Sequence, residues 1–137
     1  GAQVEATAEA LVGASGIKEL DWELCYQSRV GPMKWIGPAT DAEIRRAGAE
    51  GKGVIVAPVA FVNEHSETLV ELDIEYARLA KEAGVPDYLR AATVGIHPDF
   101  IGGLAELVRR ADAAGGIVSG EGVRLCPSDL KRCGCGN

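Results

Sequence analysis

Residues 61 to 76 read FVNEHSETLVELDIEY, and Glu64, Glu67, Glu71 and Glu75 recur in it at gaps of three, four and four. His65 stands beside the first of them. A helix stacks residues three and four apart on one side, so the spacing predicts a ladder of carboxylates with an imidazole at its start. Like charges four apart destabilise a helix by about 0.2–0.5 kcal/mol per pair. A surface helix ordinarily interleaves cations to relieve this. Glu75 has Arg78 three residues on, but Glu67 and Glu71 have no Lys or Arg at a helical partner position. One reading is a solvated face on a surface helix. The other is a set of oxygen and imidazole ligands that handles a divalent cation or takes up a proton. Carboxylates suit hard and borderline metals, and imidazole extends the range to Fe(II) and Zn(II). A crowded acid can also accept a proton near neutrality.

A second group with chemistry lies in CPSDLKRCGC, where Cys126, Cys133 and Cys135 are spaced C-x6-C-x-C. Three thiols so close, with glycine to let the backbone bend, point to an iron–sulfur or other soft-metal site, with tetrahedral zinc as the lesser choice. Free thiols on a chain end are the plain alternative. Cys25, in LCYQS, falls inside a strand pattern and is expected in the core. His97 precedes Pro98 at a helix start and is expected to be structural.

The rest of the composition narrows the class. A chain of 137 residues that is 47% hydrophobic fits a single folded domain and needs no disulfides to bury a core. Its 14 basic and 20 acidic residues give a net charge of −6, which argues against nucleic acid as a partner. No stretch approaches the ~20 apolar residues of a membrane span, and GAQVEATAEA does not read as a signal peptide. Cysteines crowded at one end fit cytosolic metal chemistry better than disulfide stapling.

The elements that must position these groups follow from periodicity. QVEATAEALVGASG reads as the last turns of a helix, with Val4, Ala8, Leu11 and Val12 on one side and Gly13 or Gly16 as the stop. WELCYQSRV reads as a strand ending near Ser28. GPMKWIGPAT is a loop, after which Thr40 or Asp41 caps a short helix to about Ala49. GVIVAPVAF is a continuous apolar run, the pattern of a strand covered on both faces. The ladder helix follows, with Leu69, Leu72, Tyr76, Leu79 and Ala80 on the face opposite the acids, and stops at Gly84. YLRAATVG is a short strand, and HPDFIGGLAELVRRADAAGG a helix opening at Pro98 and closing at Gly115. Strands alternating with helices predict an α/β fold, an open, mainly parallel sheet with helices on both faces. Residues 1–115 form this lobe and residues 116–137 a cysteine-bearing tail. Ligands in such sheets gather beyond the carboxyl ends of the strands, so GPMKWIGP and NEHSE are expected to converge on one cleft.

Three segments, YQSRVGPMKWIGPATD, VAPVAFVNEHSETLVELDIEY and GVPDYLRAATVGIHPDFIGGLAELV, resemble in order the C-terminal half of the ferrochelatases. The resemblance implies a Rossmann-like chelatase lobe that inserts Fe(II) into protoporphyrin IX to give protohaem, in a cleft shared with an N-terminal lobe. It implies that Glu67 is the catalytic acid at the porphyrin centre with His65 as its hydrogen-bonding neighbour. Glu71 and Glu75, with Glu64 at the head of the row, would form the metal or proton path, and Met33 and Trp35 would line the macrocycle. The cysteine spacing resembles the bacterial ferrochelatases that carry a 2Fe-2S cluster, which implies Cys126, Cys133 and Cys135 as ligands and a fourth from outside this chain. It implies a cytoplasmic enzyme that meets the inner membrane peripherally, where porphyrin is drawn from.

The chain also departs from the family pattern. The N-terminal lobe, with its S-A-H-[GS]-L-P type motif and catalytic histidine, is not in this sequence, and His65 is not that histidine. Activity is therefore expected only with a complementary half, the chain being either a fragment or one part of a split enzyme. Coproporphyrin as substrate, a cluster-binding module without activity of its own, and a chelatase for cobalt or nickel remain the alternatives.

Overall fold

The computed structural model describes residues 2–27, 36–117 and 119. Met33, Trp35, Cys126, Cys133 and Cys135, and most of the loop expected to face the acids, lie outside them. The chain divides into two compact units, one of Val4–Thr93 and one of Gly1–Gln3 with Val94–Asn137.

The larger unit holds the sheet. Strand β1 (Val54–Val56) pairs in parallel with β2 (Tyr88–Arg90), in the register Val54↔Tyr88, Ile55↔Leu89 and Val56↔Arg90. Backbone bonds from Val54 N–H to Asp87 C=O at 2.7 Å and from Ala91 N–H to Val56 C=O at 2.8 Å extend the ladder. Pro58 has no N–H to continue it. The apolar run GVIVAPVAF therefore yields a shorter strand than its composition implied. Its burial also differs from the sequence expectation. Val54 and Val56 are half-buried, but Ile55 and its partner Leu89 are 73% and 61% exposed. WELCYQSRV, read as a strand, contributes over its described residues a single parallel bridge, Tyr26 to Ala39. That bridge places Gln27 beside the start of helix α2 (Thr40–Ala49), whose cap position is Ala39 rather than Thr40 or Asp41.

Between the strands runs a helical crossover, and its first part is not an α-helix. Glu67–Tyr76 is a π-helix, continued by α3 (Ala77–Glu82). Its i→i+5 bonding widens the turn to about 4.4 residues from the α-helical value of about 3.6. The buried face changes accordingly. Thr68 and Leu72 are 0% and 1% exposed and Ala80 is fully buried, whereas Leu69, expected inside, is 49% exposed. Two carbonyls of the widened segment are served from other elements: Tyr88 Oη donates to Leu72 C=O at 2.9 Å, and Gln27 Nε2 to Glu67 C=O at 3.2 Å.

The core is made of Ile44 from α2, Ala80 from α3 and Val85, with Val54, Tyr76, Leu79 and Tyr88 packed against them. Helices α2 and α3 come so close at Gly48 that a Cβ there would sit 2.1 Å from the Ala83 carbonyl oxygen. Gly84, at φ +81°, then turns the chain out of the helix, a conformation that glycine adopts without the clash of a Cβ. Helix α1 (Ala2–Ser15) precedes all of this and stops before Gly16, at φ +67°.

In the second unit, helix α4 (Pro98–Ala114) starts and stops as its sequence predicts. His97 Nδ1 accepts the Asp99 N–H at 3.3 Å as an N-cap, and Gly115 closes the helix at φ +66°. The structural role expected of His97 is the one observed.

Candidate active site

The acids begin on the segment that leaves β1 and enters the π-helix, and the first of them, Glu64, meets the carboxyl end of β2 through Arg90 and Thr93. This is where an open parallel sheet gathers ligands, and the NEHSE segment lies there as expected. Glu67 and Glu71 are half-buried on the helix, and Glu75, two widened turns along, is exposed. Among the described residues no Lys or Arg forms an ion pair with any of the three. Among the described residues a neutral amide serves Glu71. Gln27 Nε2 lies 2.5 Å from Glu71 Oε2 and donates to it, while the same nitrogen reaches the Glu67 carbonyl. An amide donor orients the carboxylate without cancelling its charge. Gln27 was not singled out by sequence reasoning; its signal was its position at the mouth of the conspicuous GPMKW loop.

Glu64 stands apart from the row. It precedes the helix, and its carboxylate accepts from Thr68 Oγ1 at 2.7 Å, Thr93 N–H at 3.1 Å and Arg90 Nη1 at 3.0 Å. These donors, with the Thr68 hydroxyl foremost, hold its carboxyl down at about 2. The even helical stack of four acids expected from spacing is thus a row of three plus one anchored acid. The sequence missed Thr68, Arg90 and Thr93, because partners brought together by the fold leave no local spacing to read.

His65 is exposed, and its backbone N–H donates to Thr68 Oγ1 at 2.9 Å. Its ring stacks on Phe61, with centroids 5.6 Å apart. Nδ1 lies 3.4 Å from the Glu67 N–H and 3.3 Å from Ser66 Oγ. The ring therefore helps to satisfy a free N–H at the helix start. Among the described residues no three His, Cys, Asp or Glu side chains converge closely enough to hold a metal ion. The acids are strung along the helix rather than gathered at one point. Cys25 is half-buried, its thiol pushed up by burial, with a hydrogen bond from the Thr40 side chain working the other way. It belongs to the packing around α2.

Comparison with known proteins identifies the family. A sequence model of the family described as Ferrochelatase matches residues 1–112. The chain is 58% identical over 137 residues to the ferrochelatase of Phenylobacterium zucineum, covering 99% of this chain and 39% of that protein. It is 56% identical over 135 residues to that of Caulobacter vibrioides, covering 97% and 38%, and 47% identical over 134 residues to that of Hyphomonas neptunium, covering 96% and 37%. The chain thus spans about two-fifths of the length of these curated relatives. With a family match over residues 1–112 and relatives 47–58% identical over nearly its whole length, this chain belongs to the ferrochelatase family.

Proposed function

We propose that this chain carries the metal-inserting half of an enzyme that places Fe(II) in protoporphyrin IX, the last chemistry of protohaem formation. The observation that supports the reading is the half-buried pair Glu67 and Glu71, which among the described residues meets no Lys or Arg, with a neutral amide donating to the Glu71 carboxylate and the Glu67 carbonyl. Metallation removes two pyrrole protons while a hydrated dication sheds water. A carboxylate next to the ring can take a proton, and a second behind it can take that proton onward or exchange for a water on the incoming ion.

In this reading Glu67 is the acid at the porphyrin centre and His65 the neighbour that fixes the helix start beneath it. Glu71 and Glu75 form the path behind. Glu64, tied to Arg90, Thr68 and Thr93, anchors the head of that path rather than receiving the ion. Met33 and Trp35 supply macrocycle contacts, and a partner lobe, corresponding to the part of the relatives that this chain does not span, supplies the opposite wall. Cys126, Cys133 and Cys135 would hold a 2Fe-2S cluster together with a ligand from that lobe; three clustered thiolates are a donor set suited to iron–sulfur ligation. No helix among the described residues is long and apolar enough to cross a membrane. We place the enzyme in the cytoplasm with peripheral contact to the inner membrane.

The test is a chimera in which this chain replaces the matching segment of the P. zucineum ferrochelatase. Given Fe(II) and porphyrin without oxygen, it should produce a haem spectrum, faster with protoporphyrin than with coproporphyrin. Glu67→Gln should abolish most of the rate. A chimera that binds porphyrin and metallates it equally well with Glu67→Gln would overturn the role given to that acid.

A further inference from the structure

The acids occupy one side of the π-helix, and another side is held by a single guanidinium. Arg90 is the last residue of β2, and its side chain is 12% exposed. It grips Asp73 with two parallel bonds, Nε to Oδ1 at 2.5 Å and Nη2 to Oδ2 at 2.7 Å. Its Nη1 reaches Glu64 Oε1 at 3.0 Å. Glu64 in turn accepts from Thr68 Oγ1 at 2.7 Å. Asp73, Arg90, Glu64 and Thr68 thus form a closed circuit that leaves the helix at one residue and returns five residues earlier.

That return is geometrically selective. Residues five apart point about 140° away from each other in an α-helix, at about 100° per residue. In a helix bonded i→i+5, with about 4.4 residues per turn, they diverge by only about 50°. Thr68 and Asp73 therefore share a side, within reach of the Arg90–Glu64 pair, only when the turn is wide. The same choice sets the ladder. From Glu67 to Glu75 the direction advances by about 80° in an α-helix and recedes by about 65° in the wide form. The last acid would swing by about 145° if the helix tightened.

We propose that Arg90 is a positioning residue: its fork, closed on Asp73 and on the Glu64–Thr68 pair, latches the helix in its wide-turn form and so sets where Glu67, Glu71 and Glu75 point. This rests on the metallation reading above. A lysine cannot substitute, because an ammonium lacks the planar fork that takes a carboxylate on two parallel bonds and a second carboxylate on a third donor.

Two measurements test the latch, one of them independent of activity. In the chimera, Arg90→Gln should lower kcat about tenfold or more, as misdirected catalytic groups do, while KM for porphyrin stays within about twofold. Arg90→Lys should not restore kcat. In the 137-residue chain, hydrogen exchange of Arg90→Gln should quicken across Glu67–Tyr76 and leave α2 (Thr40–Ala49) unchanged. Unchanged kcat, full rescue by Lys, or exchange that rises equally in α2 would overturn the proposal, the last marking a general loss of stability. If the unsubstituted chimera makes no haem, the metallation reading fails while the exchange experiment still decides the latch.

Discussion

Thr68→Val isolates one buried hydroxyl. The side chain is 0% exposed and β-branched, so valine fills the same space without opening a cavity. What disappears is the oxygen, which accepts the His65 N–H at 2.9 Å and donates its one proton to Glu64 Oε2 at 2.7 Å. The His65 carbonyl, at 3.0 Å, is the weaker acceptor for that proton, being neutral and more distant. Deleting a buried partner costs about 1–3 kcal/mol, and the methyl that replaces the hydroxyl returns at most about 0.8 kcal/mol. The net expectation, with the full return of the methyl, is a loss of about 0.2–2.2 kcal/mol. At about 2–4 °C per kcal/mol for a chain near this size, Tm should fall by up to about 9 °C.

Thr68→Ser removes a methyl and keeps both hydrogen bonds, so it destabilises by packing alone. The two variants separate on pH. Glu64 lies below its ordinary value of 4.5, at about 2, with the Thr68 hydroxyl as the largest cause. A depressed carboxyl stabilises the fold fully above its unfolded value, and that contribution is lost as pH falls through the folded value. The deficit of Thr68→Val should therefore be largest at neutral pH and shrink as pH falls from 4.5 toward about 2, whereas that of Thr68→Ser should stay level. Urea midpoints along this range provide the assay. A valine deficit that ignores pH would refute the link between Thr68 and Glu64.

Tyr88→Phe should cost about 1 kcal/mol by removing the bond to the Leu72 carbonyl. It should also flatten the alkaline limb. Burial foremost, then Asp73, pushes the Tyr88 phenol up to about 12, so its contribution is complete below pH 10 and lost as pH rises through that value. Denaturant midpoints above pH 10 check this. Gly48→Ala should destabilise by about 1–3 kcal/mol through overpacking against Ala83, despite the better helix propensity of alanine. Gly13→Ala, where the added Cβ meets nothing within 4 Å, should stabilise by about 0.5–1 kcal/mol; thermal melts distinguish the pair. Gln27→Leu in the chimera should reduce kcat more than it changes KM, because Glu71 loses the donor that orients it. A purely raised KM would show that Gln27 acts on porphyrin binding instead.

Element order was legible because periodicity and punctuation agree. Gly16, Gly84 and Gly115 end or follow helices as read, and the apolar runs at Val54 and Tyr88 pair as parallel strands joined by a helix. Strand length was not legible, since an apolar run does not say how many of its residues find a partner. Nor was the wide turn: acids at gaps of four fit either helix, and only Leu69, exposed where an α-helical wheel buries it, tells them apart. The acid row itself could be read from spacing. Its support could not, because Arg90 stands 26 residues from Glu64 and 17 from Asp73.

The placement of positive charge explains why the row can persist. A guanidinium facing Glu67 or Glu71 would relieve their repulsion, but under the proposed metallation role it would also compete with the dication for the same oxygens. Among the described residues the fold instead keeps Arg90 engaged with Asp73 and Glu64 and gives Glu71 a neutral amide, from Gln27. Helix strain from like charges four apart is about 0.2–0.5 kcal/mol per pair, small beside a bidentate ion pair with little solvent access on the arginine side. The latch can hold the acids in line at little cost, and no Lys or Arg among the described residues neutralises Glu67, Glu71 or Glu75.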